Sequence, residues 1–483
     1  MSCFGGKTYE YDELSLDRFD GINLSSAAYF LSHCHADHMV GLESHELSKR
    51  FLDCPDIKLY CSTVTASLLL AIPRFTHLRA FIEELPMDQE TAIHIPFSNS
   101  YISVTLIPAG HCPGSAMILV HGDNGTILYT GDFRFSIGDS VRLKSLFTLT
   151  KGYSPKFLIK SVYIDTTFCI PEAVHIPTRE ACLQVIISTA SDWFIRKGPS
   201  ALLHVFSRSS YGYEFIMVQL AKKYSCKIHV SAKQFEKYRF VPSIQRFLTE
   251  DPNSTQIHFC QNHIVSQVEE NLELCKQRTN FDKTALPCTS VLRYSPHILQ
   301  IVPSVMFFTK SKDVSPTSMV YCEGESVVRV CYSSHCSYGE IIDFLSVLKP
   351  QNIYPNVKPN NEFSLEDVRK TLMHLQCQEK QGAKRPQVDY AKVSFTSKLR
   401  RMWYNIPASI PTADSAPTDV AKLSSKVASP VEAPQGSPPP NGSPPSSPSL
   451  LEPNSHPASP LLRPKFHQIP DAFDIFAQWE ALD

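Results

Sequence analysis

Six consecutive residues, His33-Cys34-His35-Ala36-Asp37-His38, constrain this chain more than any other stretch. They follow the apolar run Ala28-Tyr29-Phe30-Leu31-Ser32, which reads as a strand delivering the cluster to its C-terminal end. A helix-like segment from Met39 to Leu42 then leads the chain away. Imidazole and carboxylate together suit zinc or a similar divalent ion. In an extended loop His33 and His35 point the same way, while Asp37 and His38 turn toward a neighbouring position, so one loop can feed two metals. The bland alternative is a surface loop that is merely His-rich.

The pattern HxHxDH resembles the signature of the metallo-β-lactamase superfamily. That resemblance asks for a distant His and a distant Asp, each at a strand end, and the chain has both. The strand-like Tyr101–Ile107 runs into Pro108-Ala109-Gly110-His111-Cys112-Pro113-Gly114-Ser115, and the buried-strand pattern Thr126–Thr130 ends in Gly131-Asp132-Phe133-Arg134. Ser161–Ile164 repeats the design and ends in Asp165-Thr166-Thr167-Phe168. Three strand-end loops in order, HxHxDH, Gly110-His111 and Gly131-Asp132, read as a metal site. Leu14-Ser15-Leu16 ends in Asp17, which the resemblance makes a residue that orients the HxHxDH loop; taken alone it is equally an ordinary turn Asp. The implied fold class is α/β, an αββα sandwich of two packed sheets with helices outside, where periodicity alone says only mixed α and β.

Composition sets limits on the rest. At 483 residues and 43% hydrophobic content the chain can bury one large core or two moderate ones. Lys and Arg (46) nearly balance Asp and Glu (47), so any phosphate-binding surface must be local. Fifteen cysteines without a regular framework suit a reducing compartment. The first residues carry no apolar leader and no run approaches membrane-spanning length, so a soluble intracellular protein with no membrane partner is expected.

After Asp165 the chain alternates helix and strand: Arg179–Trp193, Ala201–Phe206, Tyr213–Tyr224, Lys227–Val230 and Pro242–Leu248. Ligand-type residues return only at Tyr332-Ser333-Ser334-His335-Cys336-Ser337-Tyr338, before a helix Glu340–Leu348 and a strand Asn352–Pro355. An insertion bounded in this way resembles the β-CASP nucleases, the metallo-β-lactamase branch that cuts nucleic acids, and within it the DNA-repair endonucleases. The shared motifs include Asp17-Arg18-Phe19-Asp20, Tyr29 to His33, Ala109 to Gly114, Leu128 to Arg134, Asp165 to Cys169, Tyr211-Gly212-Tyr213-Glu214 and Tyr354-Pro355-Asn356-Val357. The expected partition is 1–165 for the first part of the metallo-β-lactamase domain and 166–318 for the β-CASP domain. Residues 319–386 form the return segment, and 387–483 a Pro/Ser-rich disordered tail.

The resemblance implies roles residue by residue. His33, His35 and His111 hold one metal, Asp37, His38 and His335 the other, and Asp132 bridges. Asp165 orients a ligand or the attacking water, and His335 is either a ligand or the acid that protonates the leaving group. With Asp17, these make Asp37, His38, Asp132, Asp165 and His335 the catalytic set. Zinc is the expected metal, with magnesium or manganese supporting activity. His229, His258, Cys260 and Cys288 match a Cys₂His₂ structural zinc site; without the resemblance, buried Cys and His would be the simpler reading. Arg208 is a candidate DNA-phosphate contact and Tyr211 a stacking or packing residue, each equally open to a structural role. The exonucleases of the group have Gly-Lys-Glu where this chain has Gly212-Tyr213-Glu214, and Tyr213 cannot supply that Lys charge to a 5′-phosphate.

The expected activity is a metal-dependent DNA endonuclease with 5′–3′ exonuclease activity, opening hairpins and trimming overhangs at double-strand breaks for non-homologous end joining. The rivals are a 5′–3′ exonuclease of interstrand cross-link repair and an RNA-processing β-CASP endonuclease. In the tail, residues 406–461 are dense in Pro, Ser and Ala and cannot order themselves by burial. Phe473, Phe476, Trp479 and Leu482 lie roughly on one helical face, as in a docking helix. The resemblance suggests the DNA-dependent protein kinase and a DNA ligase as tail partners. Lys398 to Arg401 beside Trp403 reads equally as a docking or a nuclear-localisation segment, and the expected compartment is the nucleus.

Overall fold

The computed structural model describes residues 2–148, 154–207, 209–260, 286, 288, 297–310, 318–359 and 363–379. Arg208 and the whole tail with its expected docking segments lie outside the described residues.

Two sheets face one another. The first is parallel throughout, in the order Leu14–Leu16, Ala28–Phe30, Leu59–Ser62, Ile82–Leu85. The second runs Asn352–Pro355, Ile159–Ile164, Gly125–Tyr129, Ala116–Gly122, Ser100–Pro108, Glu90–Ile95, parallel at the first three strands and antiparallel from there. The alternation of side chains along each strand builds three layers of core. Phe30, Val120 and Tyr129 turn into the gap between the sheets. Their chain neighbours turn the other way. Tyr29 packs with Leu47 and Phe51 of the helix His45–Asp53, and Leu119 and Leu128 pack with Phe344 and Leu345 of the helix Tyr338–Leu348. Helix, sheet, sheet, helix is the αββα sandwich.

The strands carrying the motifs end on one rim. Ser100–Pro108 and Gly125–Tyr129 both run antiparallel to the strand between them and therefore in the same direction, so the loops at His111, Asp132 and Asp165 emerge at the same end of their sheet. Two glycines let the loops close there. Gly110 (φ +71°) and Gly131 (φ +50°) sit in the left-handed region, and a Cβ on them would fall 2.6 Å from the Arg134 carbonyl oxygen and 2.7 Å from Ser32 Oγ. The helix-like reading of Met39–Leu42 does not hold. A 3₁₀ turn over Ala36–His38 takes its place, followed by a turn in which Leu42 N–H donates to the Met39 carbonyl, and Gly41 (φ +87°) breaks helical continuity.

The insertion forms a third sheet in the order Leu248–Thr249, Ile228–His229, Ile257–His258, Leu202–Val205, Ile298–Pro303, Val327–Val330, Val320–Glu323. All its pairings are parallel except the last. This sheet continues to Val330, past the boundary expected at 318. The chain then returns through His335 and the helix Tyr338–Leu348, whose Ser337–Glu340 capping box fixes its start, to the edge strand Asn352–Pro355 of the second sheet.

Candidate metal centre

Asp17 organises the first loop. It is a non-glycine residue in the left-handed region (φ +52°) and is 3% exposed. Its Oδ1 accepts the Ser32 N–H at 2.6 Å, and its Oδ2 accepts Tyr129 Oη–H at 2.8 Å, the Ser32 hydroxyl, and Nδ1–H of His38 at 2.7 Å. Because Ser32 gives its proton to Asp17, its oxygen is left to accept Nδ1–H of His33 at 2.9 Å. One carboxylate thus fixes two imidazoles, one directly and one through a hydroxyl.

The nitrogens left over converge. His111 Nδ1–H donates to the Ser334 carbonyl at 2.9 Å, so its Nε2 carries a lone pair. That Nε2 and the Nε2 of His33 lie 2.9 Å and 3.0 Å from His35 Nδ1. Asp132 Oδ2 is 3.6 Å from both Nε2 atoms. These three nitrogens and one oxygen all lie within 4.8 Å of one another, a donor set of the type that holds zinc. His38 Nε2, which faces Asp132, is buried and without a hydrogen-bond partner, which a metal-free polar cluster would not tolerate cheaply. The residues fit a metal.

Asp132 reaches past this group. Its Oδ1 lies 3.3 Å from His38 Nε2, and Asp37 Oδ2 lies 3.9 Å from the same nitrogen while accepting the Ser2 N–H at 2.8 Å. On another side, His335 Nδ1–H donates to Asp165 Oδ2 at 2.8 Å and stands 4.0 Å from Asp132 Oδ2. Asp165 is fixed in turn by Thr167, whose N–H and hydroxyl both donate to Oδ1. Among the described residues the donors form three overlapping groups, namely His33–His35–His111–Asp132, Asp17–His33–His38 and Asp132–Asp165–His335. Among the described residues Asp37, His38 and His335 do not gather into one set of their own.

The protonation preferences follow from the same contacts. Burial, with His335 close by, drives His111 well below the usual imidazole value. At His38 burial is outweighed by the Asp132 and Asp17 carboxylates, which hold the ring well above it. Burial of Asp132 is likewise outweighed by His38 and His335, so its carboxyl stays ionised.

Two comparisons now apply to this geometry. Residues 242–361 match the DNA repair metallo-beta-lactamase family, and residues 14–176 match the anti-Pycsar protein Apyc1 family. The human protein artemis is 41% identical over 366 residues, covering 74% of this chain and 50% of its own. The zebrafish protein artemis is 38% identical over 407 residues, covering 83% and 60%. Over the matched stretches the chain is similar to the DNA repair metallo-β-lactamases. Identity is lower, at 30%, to the rat 5′ exonuclease Apollo, covering 69% of this chain and 52% of that one. The chain thus spans about half the length of the curated relatives it matches.

A second donor cluster lies in the inserted sheet. His229 and His258 are directly paired on neighbouring strands, which sets their Nδ1 atoms 3.0 Å apart. Cys288 Sγ is 3.6 Å from His258 Nδ1, and with Cys260 the four donor atoms lie within 4.8 Å of one another. Cys288 is pushed down to about 3 by hydrogen bonding with Cys260, whose own thiol is pushed up. His258 Nε2 is buried without a partner.

Tyr211 is 3% exposed, its ring 5.9 Å from His35 and 6.3 Å from Tyr238, with the Lys237 ammonium 5.2 Å from its centroid. It packs against His35 and Tyr238. Two residues went unread in the sequence. Arg134 donates to the His335 carbonyl at 2.8 Å and pairs with Glu340 at 3.0 Å, and Arg179 donates to the Gly110 carbonyl at 2.6 Å. A signal did exist for Arg179, since a cation in the first turn of a helix opposes the helix dipole.

Proposed function

We propose that this protein is a zinc-dependent DNA endonuclease with 5′–3′ exonuclease activity that opens hairpins and trims overhangs at double-strand breaks for non-homologous end joining. The observation that supports this best is Asp132, whose two oxygens face different imidazoles, His33 and His111 on one side and His38 on the other. Such a carboxylate suits a paired centre for an in-line displacement at a phosphodiester. His33, His35 and His111 with Asp132 would hold the first ion. His38 with Asp132 and Asp37 would hold the second. When bound, the ions supply Lewis-acid charge and a water of lowered pKa. Asp17 and Ser32 keep the imidazoles in the tautomer whose lone pairs face inward. Asp165 holds His335 Nδ1–H, which places that ring beside Asp132 as a ligand or as the proton donor to the leaving oxygen.

The His229–His258–Cys260–Cys288 cluster is proposed as a structural zinc site, closed because all four corners are protein donors. Arg208 is proposed as a phosphate contact, and the nucleus as the compartment. The DNA-dependent protein kinase and a DNA ligase are proposed as partners of residues 387–483. Higher identity to the artemis proteins than to the 5′ exonuclease, together with Tyr213 in place of a Lys, favours endonuclease over strict exonuclease.

The test is a substrate panel: a labelled DNA hairpin, a 5′-overhang duplex and RNA of matched sequence, each with Mg²⁺ or Mn²⁺. Cleavage near the hairpin tip is expected. Stepwise digestion from the 5′ end alone would transfer the protein to the exonuclease reading, and faster cutting of RNA would transfer it to the RNA-processing one.

A further inference from the structure

We propose that Arg179 is a positioning residue for the metal centre. It is a guanidinium carried by the first helix of the insertion, and it sets the spacing between the His111 loop and the His335 loop. The inference rests on the metal-centre reading above.

Arg179 is the first residue of the helix Arg179–Lys197 and is 3% exposed. Its Nη1 donates to the Gly110 carbonyl at 2.6 Å. Its Nη2 lies 3.4 Å from both the His111 and Ser334 carbonyls, and its Nε donates to the Ser333 carbonyl at 3.2 Å. The Ser334 carbonyl is also the acceptor for His111 Nδ1–H at 2.9 Å. One backbone oxygen therefore receives both the guanidinium and the imidazole whose Nε2 faces His35. Moving that oxygen swings the ring and takes the lone pair off the centre.

The placement is costly in isolation. The helix start is the positive end of the dipole, burial penalises the charge, and Arg134 nearby carries the same sign. The carbonyl contacts, drawn from two loops far apart in the chain, offset that cost. Arg134 braces the other side. It donates to the His335 carbonyl and to the Ile176 and Pro177 carbonyls just before the helix. The insertion is thus anchored to the two loops that carry His111 and His335, and the rigidity of the helix Arg179–Lys197 becomes rigidity of the donor set.

Manganese binding by the full chain, followed by the EPR signal of free Mn²⁺, tests this without relying on turnover. Mn²⁺ disfavours thiolate sites and so reports on the His/Asp centre. Arg179→Met and Arg179→Lys are compared with the parent. Arg179→Met is expected to weaken Mn²⁺ binding by about 10- to 100-fold and to lower kcat on DNA with KM changed less than about twofold. Arg179→Lys, which can reach one carbonyl, should fall in between. A folded Arg179→Met variant with Mn²⁺ affinity within about twofold of the parent overturns the proposal. If that variant does not fold, Arg179→Lys decides, and unchanged affinity there overturns it equally. A parent that binds Mn²⁺ and cuts no nucleic acid would defeat the nuclease reading and leave the role of Arg179 standing. A parent that does not bind Mn²⁺ defeats both.

Discussion

Nδ1–H of His38 donates to the Asp17 carboxylate at 2.7 Å, and the opposite nitrogen of the same ring stands 3.3 Å from Asp132. A carboxylate behind an imidazole fixes its tautomer and raises its basicity toward whatever lies in front. Asp17 accepts only from donors, namely the Ser32 N–H and hydroxyl, the Tyr129 hydroxyl and His38.

Asp17→Asn should therefore hurt the metal centre out of proportion to its size. An amide presents an N–H₂ where every neighbour already donates. Metal affinity is expected to fall by about 10- to 100-fold, read by titration of Mn²⁺ or Zn²⁺ into the apoprotein. Unchanged affinity would mean that the HxHxDH loop is oriented by its backbone alone.

The Cys₂His₂ cluster yields a separate prediction. Cys260→Ser should remove about one zinc per chain by elemental analysis and lower Tm, because metal binding to a closed site adds to folding free energy. Zinc content equal to the parent's would show that the four donors are ordinary buried side chains.

Much of this was legible because strand-end loops leave a local mark. HxHxDH, Gly110-His111 and Gly131-Asp132 each place ligand types directly after an apolar strand, and the structure gathers them. Arg134 and Arg179 left almost none, since their acceptors are backbone carbonyls, which have no side-chain signature. Met39–Leu42 misled for a related reason. Helical propensity there was overridden by Gly41, whose positive φ turns the chain, and a Cβ on it would meet the Phe19 carbonyl carbon at 2.6 Å. Val320–Glu323 and Val327–Val330 are short strands, and only their pairing shows which sheet they join. Stacking and packing were equally open readings of Tyr211, because only tertiary contacts, here with His35 and Tyr238, show that it is buried.

The buried pair Arg134–Glu340 predicts a stability loss with a defined cause. Both side chains are nearly inaccessible, and Glu340 also accepts the Ser337 N–H in the capping box. Glu340→Ala leaves a buried guanidinium without its counter-charge, at a cost of about 3–5 kcal/mol, measured by urea unfolding. A loss under about 1 kcal/mol would place the pair among screened surface contacts.

Glu180 predicts a pH dependence. Burial raises its carboxyl from 4.5 to about 7, and its Oε1 has no hydrogen-bond partner. The folded state holds this proton more tightly than the unfolded chain does. Its stabilising contribution is therefore complete below 4.5 and is lost as pH rises through about 7. Glu180→Gln keeps a neutral side chain at every pH, so its Tm relative to the parent should rise between pH 5 and pH 8. A constant difference across that window would show that Glu180 does not titrate there.

The most direct measurement is cleavage of a labelled DNA hairpin by the purified chain as Mn²⁺ is added, for the parent and for Asp132→Ala. If Asp132 joins two donor groups into one hydrolytic centre, the parent cuts only with metal. Asp132→Ala should then lose cleavage by at least about a thousandfold while keeping a normal far-UV spectrum. Cutting that persists in EDTA, or that survives in folded Asp132→Ala, would contradict it.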